Sequence, residues 1–274
     1  MLFFRRILKK ADLDQPAQSE RRNAPRYLIN PDFKLKASLS LTAREPSKSP
    51  SPAWEPIVSL ATMGPPTRPR TKSPVGGSRP GVRLHCRILD LSEGGARIQL
   101  ERGTRIQARH LCDLSLLVED FQLTLPCHIS HAREHVDGLS FGLRYDAMAD
   151  ETWNAYCQLL EVVALGATLR LQRRSKEPGE SGYFEETYVN NRPARLSIWR
   201  HPDTCEIAAM EFRLRTHLVR QLKDGAPEYL TGAANRPATE AQEEEIRRLF
   251  KWVVQNLPSE IPSDIRNFLR KRAQ

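Results

Sequence analysis

No stretch of this 274-residue chain approaches the roughly 18 consecutive apolar residues that a bilayer-crossing helix requires, so no helix is expected to span a membrane. Nor does MLFFRRILKK at the N-terminus place its charges ahead of an unbroken apolar run, the order an export signal needs. The expected compartment is cytoplasmic. Five cysteines (Cys86, Cys112, Cys127, Cys157 and Cys205) are odd in number and include no CxxC pair, which suits reduced thiols and not a disulfide framework. A broad basic face is also lacking, despite a formal charge of +9. Residues 1–19 and 44–81 together supply +6 of that charge, leaving +3 for the rest of the chain. Neutralising phosphates along a duplex needs Lys and Arg gathered on one surface, so no specific nucleic-acid partner is expected.

The segment 44–81 holds nine of the twenty prolines with Ser, Thr, Arg and Lys between them; it cannot bury much apolar surface and reads as a disordered, proline-rich insertion. On either side of it, apolar residues recur with period two. Residues 33–41 alternate through Phe33, Leu35, Ala37, Leu39 and Leu41, and the pattern returns at Val82, Leu84, Cys86 and Ile88. Further alternations run through Ala96, Ile98 and Leu100, then Leu114, Leu116 and Val118, then Phe121, Leu123 and Leu125, and finally Leu139, Phe141, Leu143 and Tyr145. Closely spaced strands bounded by Gly, Asp and Glu-Asp turns predict a small antiparallel barrel, with the insertion as a long surface loop. Asp150 is placed to cap a following helix whose apolar face carries Trp153, Tyr156, Leu160 and Val163.

Residues 165–182 then read as a linker, its core being QRRSKEPGESG at 172–182. Beyond it, strands are expected at 183–189, 194–200, 206–216 and 228–231. Thr239 with Gln242 has capping-box spacing before a helix bearing Ile246, Leu249, Phe250, Val253 and Val254, and Ser263 is placed to cap a last short helix. Residues 183–274 therefore form a small α+β domain.

Two short sequences carry the chemistry. Arg22-Asn23-Ala24-Pro25-Arg26 is an RxxxR just before the first strand, with Arg21 adding a cation, and Asp90-Leu91-Ser92-Glu93-Gly94-Gly95 is a DxSxxG at the turn between the second and third strands. An arginine fork grips phosphate bidentately, and its plane stacks on purines. A carboxylate such as Asp90 accepts from the ring N–H and exocyclic amine of guanine together. Ser92 donates to a phosphate or caps the turn, and Gly94-Gly95 leaves room for close backbone approach. Taken singly, the arginines read as a solvated basic turn and DLSEGG as a plain hairpin. Together and in this order they suit an anionic guanine nucleotide.

This arrangement resembles the PilZ family across residues 20–164, apart from the insertion. The resemblance implies an all-β six-stranded antiparallel PilZ-like barrel with a C-terminal helix, and a flexible RxxxR loop that folds over cyclic di-GMP. Carried over by position, Arg22 and Arg26 hold guanines and phosphates, Asp90, Ser92, Gly94 and Gly95 line the pocket, and Arg21 is auxiliary. The chain is then expected to be a cyclic di-GMP receptor that changes its contacts with a protein partner; the alternative is a ligand-independent adaptor acting through protein contacts alone.

Other clusters are read plainly. Cys127, His128, His131 and His135 lie close in sequence, but on a strand His128 and His131 point to opposite faces, so no metal site is expected. No cysteine carries a local signature of a nucleophile, and no enzyme or cofactor is expected. Trp153 and Trp252 lie on apolar helical faces as core. Residues 1–10, with Leu2, Phe3, Phe4, Ile7 and Leu8 between Arg and Lys, form a basic amphipathic segment open to membrane-surface contact, to packing on the barrel or to fraying.

Overall fold

The computed structural model describes residues 24–41, 83–101, 106, 110–135, 138–222 and 225–274. Arg21, Arg22, the segment 1–10 and the insertion 44–81 lie outside the described residues.

Six antiparallel strands close a barrel: β2 (Lys36–Leu41), β3 (Arg83–Ser92), β4 (Gly95–Leu100), β5 (Leu111–Val118), β6 (Phe121–His135) and β7 (Gly138–Tyr145). They run in the ring β3-β2-β5-β6-β7-β4, and β4 returns to β3. A two-residue strand, β1 (Tyr27–Leu28), pairs with Leu91 and Asp90 of β3, along the half of that strand which β2 leaves free. The alternation read from the sequence becomes the barrel interior: Leu39, Ile98, Leu114, Leu116, Leu125, Ile129 and Phe141 are fully or almost fully buried. Each contributes about 1.5–3 kcal/mol through burial.

Helix α1 (Asp150–Ala167) covers one end of the barrel. Its Tyr156 hydroxyl donates to the carbonyl of Ser92 at 2.6 Å, and it accepts from the Tyr145 hydroxyl at 3.1 Å. Asp150 does not cap this helix: Ala149 is the N-cap, and Asp150 stands in the first turn, where its charge favours the positive end of the helix dipole.

The expected linker is largely structured. Helix α1 runs on to Ala167, and Arg170–Arg174 forms β8, the edge strand of a second sheet with order β14-β13-β12-β11-β10-β9-β8. The other strands are β9 (Phe184–Val189), β10 (Ala194–Arg200), β11 (Ile207–Leu214), β12 (His217–Leu222), β13 (Glu228–Thr231) and β14 (Arg236–Pro237). The single strand expected at 206–216 is therefore the first arm of a hairpin that turns at Arg215-Thr216. Two helices follow, α2 (Glu240–Gln255) and α3 (Ser263–Arg272). The Thr239–Gln242 capping box is formed at α2, whereas Pro262 and not Ser263 is the N-cap of α3. Trp153 and Trp252 are both buried.

Helix α2 packs on α1 and meets the lead-in to the barrel. The fully buried Asn256, just past α2, accepts from the Asn30 amide at 2.8 Å and donates to the carbonyls of Val163 at 2.9 Å and Leu28 at 3.4 Å. The Asn30 side chain in turn donates to the Leu257 carbonyl at 2.6 Å. Asn256→Ala strands these partners away from water, and an orphaned buried group costs about 1–3 kcal/mol. A drop in denaturation midpoint of that size is expected, with Asn256→Asp intermediate.

One to two turns back from Asn256 along α2, the β5–β6 turn supplies a second clamp. Glu119, at φ 54°, lies 2.6 Å from Lys251 Nζ and accepts from Trp252 Nε1 at 3.2 Å, and Asp120 pairs with Arg248 at 2.8 Å. Burial alone would raise the Glu119 carboxyl, but the hydrogen bonds from Lys251 and Trp252, with the charges of Lys251 and Arg248, outweigh it and hold it below its ordinary 4.5. A depressed folded-state value means that this contribution is present above the ordinary value and is lost as pH falls through the depressed one. The melting temperatures of wild type and Glu119→Gln should therefore differ at neutral pH and converge in acid.

Candidate functional site

Strand alternation alone would turn Asp90 inward, in phase with Leu84, Cys86 and Ile88. A β-bulge between Ile88 and Asp90 shifts the register, so that Ile88 faces Ile98 in the core while Asp90 pairs with Arg97 on the outer face. The bulged Leu89 still bonds: its carbonyl accepts from the Ile29 amide at 3.0 Å. A second bulge, between Ile129 and His131, acts in the same way on β6. His128 pairs with Arg144 and His131 with Gly142, so the two histidines share the outer face and do not point apart as their spacing implied.

Both bulges aim side chains at one surface. Asp90, Arg97, Gly142 and His131 form a continuous cross-strand row over β3, β4, β7 and β6. The row on one side is Ser92, Gly95, Arg144 and His128; on the other it is Arg87, Gln99, Ser140 and Arg133. Gly95, Ser140 and Gly142 give this patch a low floor, and five arginines (Arg26, Arg87, Arg97, Arg133 and Arg144) surround it.

Asp90 is the buried anion at its centre, with its side chain 3% exposed. Arg26 Nη1 donates to Oδ1 at 3.2 Å from the lead-in to β1, and Arg97 Nε lies 2.8 Å from Oδ2. The Arg97 contact is Coulombic, since its Nε–H is not aligned for a hydrogen bond. Both arginine side chains remain partly open to water, at 58% and 40% exposure, although the Arg97 Nε itself is buried. A carboxylate held between two arginines is arranged to exchange them for other N–H donors, which would release the arginines toward an anion.

The rest of the DxSxxG turn does structural work. The Ser92 hydroxyl is buried and donates to the Gly95 carbonyl at 3.1 Å, which closes the turn. The Gly94 carbonyl accepts from the Tyr145 amide at 3.1 Å. A Cβ on Gly95 would sit 2.0 Å from the Leu143 carbonyl oxygen, so its missing side chain serves the β4–β7 contact.

The sequence reading named Arg26 and Asp90, and the structure joins them. It missed Arg97, Arg133, Arg144 and His131, which are set beside them by register. Arg97 was findable, because the inward Ala96, Ile98 and Leu100 leave it facing out. Among the described residues, no group of three potential metal ligands gathers around His128 or His131. His128 Nδ1 contacts Asp146 at 2.7 Å, Cys127 faces inward beside Cys112 at 3.5 Å, and the His135 side chain lies outside the description. Burial pushes the thiols of Cys86 and Cys157 up to about 12, which keeps them protonated at neutral pH.

Residues 67–161 match the family model described as PilZ domain. The match takes in β3 to β7 and most of α1, and with them Asp90, Arg97, Gly142 and His131; it begins after β1 and β2, so Arg26 lies outside it. No curated protein matches the chain. The stretch from β3 through most of α1 is thus similar to the PilZ domain family.

Proposed function

We propose that this protein is a receptor for cyclic di-GMP, the ligand generally associated with PilZ domains, and that it acts by binding and not by catalysis. The observation that carries this reading is Asp90, buried between Arg26 and Arg97 on the outer face of the barrel. On binding, the guanine ring N–H and amine take over the Asp90 carboxylate. That frees the two guanidinium forks to grip phosphate or stack on a base. Arg21 and Arg22 belong to the same lead-in segment and close over the nucleotide. No further cofactor is required, and the working compartment is the cytoplasm.

The output runs through the second sheet. Arg26 directly precedes Tyr27, whose hydroxyl accepts from Arg192 Nη2 at 2.8 Å while the Arg192 guanidinium lies 5.4 Å over its ring. Arg192 also pairs with Glu161 of α1. Four residues beyond Arg26, Asn30 is bound to Asn256. A ligand that repositions Arg26 therefore pulls on a segment anchored to the C-terminal part, and it shifts the chain by the difference in its affinity for the two arrangements. A protein partner reads that shift, with residues 1–10 as a further contact for a partner or membrane surface.

Thermal denaturation tests the binding directly. At a ligand concentration one hundred times Kd, stabilisation of about 2.7 kcal/mol is expected. An unchanged melting temperature at saturating cyclic di-GMP would favour a ligand-independent adaptor.

A further inference from the structure

His131 lies in the Asp90–Arg97–Gly142 row, and its ring rests on Gly142: a Cβ there would fall 2.0 Å from His131 Cε1. Because Gly142 has no side chain, nothing from β7 stands between this ring and Arg97 on β4. The tautomer follows from the neighbouring hydroxyl. Ser130 Oγ donates its one hydrogen to the Gly142 carbonyl at 2.8 Å, so at 3.0 Å from the ring it accepts the Nδ1–H of His131. Nε2 is then the unprotonated nitrogen.

The groups facing the ring are mainly cationic. Arg133 comes from its own strand, Arg26 from the lead-in to β1 and Arg97 from β4, with Asp90 beyond Arg97 on β3 and Ser140 and Arg144 on either side of Gly142. Partial burial, followed by the charges of Arg133, Arg26 and Arg97, holds the imidazole below its ordinary 6.5, so the free protein keeps it neutral. A phosphodiester placed between Arg26 and Arg97 offsets part of that positive charge and favours a proton on the ring.

Resting on the cyclic di-GMP reading, we propose that His131 is a phosphate-side contact of the nucleotide site and that Nε2 takes up a proton from solvent as the nucleotide binds. No covalent bond is made; the proton moves from water or buffer to the ring. Affinity then rises as pH falls from the bound-state value of His131 to its depressed free-state value, by at most about tenfold per pH unit for one proton.

Isothermal titration of the full chain with cyclic di-GMP near neutrality, in two buffers of different ionisation enthalpy, reads the proton directly. Unequal heats are expected, together with an affinity that weakens towards alkaline pH. His131→Gln should abolish both effects, and His201→Gln, just after β10 in the second sheet, should leave both. His131→Lys supplies a fixed cation on the same exposed site and should bind without pH dependence. Equal heats and a flat pH profile in a chain whose binding needs Arg26 and Asp90 overturn the role of His131 alone. No binding at any pH overturns the receptor reading and this inference together.

Discussion

Asp90→Ala is expected to weaken cyclic di-GMP binding by about 30-fold to a few thousandfold while leaving the protein folded. Removing one member of a buried, hydrogen-bonded charge group costs about 2–5 kcal/mol of binding, and each 1.4 kcal/mol is tenfold. The fold is spared for a specific reason. Both arginines that Asp90 holds are more than a third exposed and return to water when it is gone, so the loss of stability should stay within about 1 kcal/mol. Asp90→Asn keeps the volume but replaces one acceptor by a donor that opposes the guanine N–H groups. It should bind almost as poorly as the alanine variant. Titration of both variants, with melting curves as the fold control, separates the acceptor pattern from packing.

The second large effect is on stability and sets two glycines against each other. An alanine methyl at Gly95 meets the Leu143 carbonyl oxygen at 2.0 Å and the Arg144 Cα at 3.4 Å, both backbone of β7, which cannot swing aside. Overpacking of this kind costs about 1–3 kcal/mol, occasionally more. Gly95 belongs at the upper end, with the melting temperature lowered by about 6–12 °C for a chain of this size. The nearest atoms that an alanine at Gly142 meets belong to the His131 ring, an exposed side chain that can rotate away. Gly142→Ala should melt within about 2 °C of wild type. It should nonetheless weaken nucleotide binding, because it unseats His131 and raises the floor between Arg97 and Arg133. Equal melting temperatures for the two variants would show that the β4–β7 contact is looser than described.

The barrel was legible because one face of each strand is buried, so the alternation through Leu35, Ala37, Leu39 and Leu41 shows directly in residue type. The site was less legible because both halves of it depend on bulges. Counting by twos from Ile88 sends Asp90 into the core, and counting from His128 sends His131 to the opposite face; in each case one extra residue reverses the phase, and that residue is fixed by the partner strand. Arg133 and Arg144 became part of the site through register across three strands, which no local pattern encodes.

The errors in the C-terminal part have similar causes. Strand β8 is bonded along one side only, to β9, and all five of its residues are exposed, so Arg170 to Arg174 carry no apolar alternation and read as linker. The turn between β11 and β12 lacks Gly, Asn and Asp; Arg215 itself adopts the left-handed conformation at φ 59°. Without the usual turn residues the hairpin read as one strand. Asn30 and Asn256, which join the two parts of the molecule, are 226 positions apart, and nothing local to either marks it as a contact.

Calorimetric titration of the full chain with cyclic di-GMP, alongside Arg26→Ala, tests the central claim most directly. Saturable heat in the wild type, lost or strongly weakened when Arg26 is removed, is the predicted result. No heat in the wild type, or undiminished affinity in the variant, would contradict a nucleotide site built around Arg26, Asp90 and Arg97.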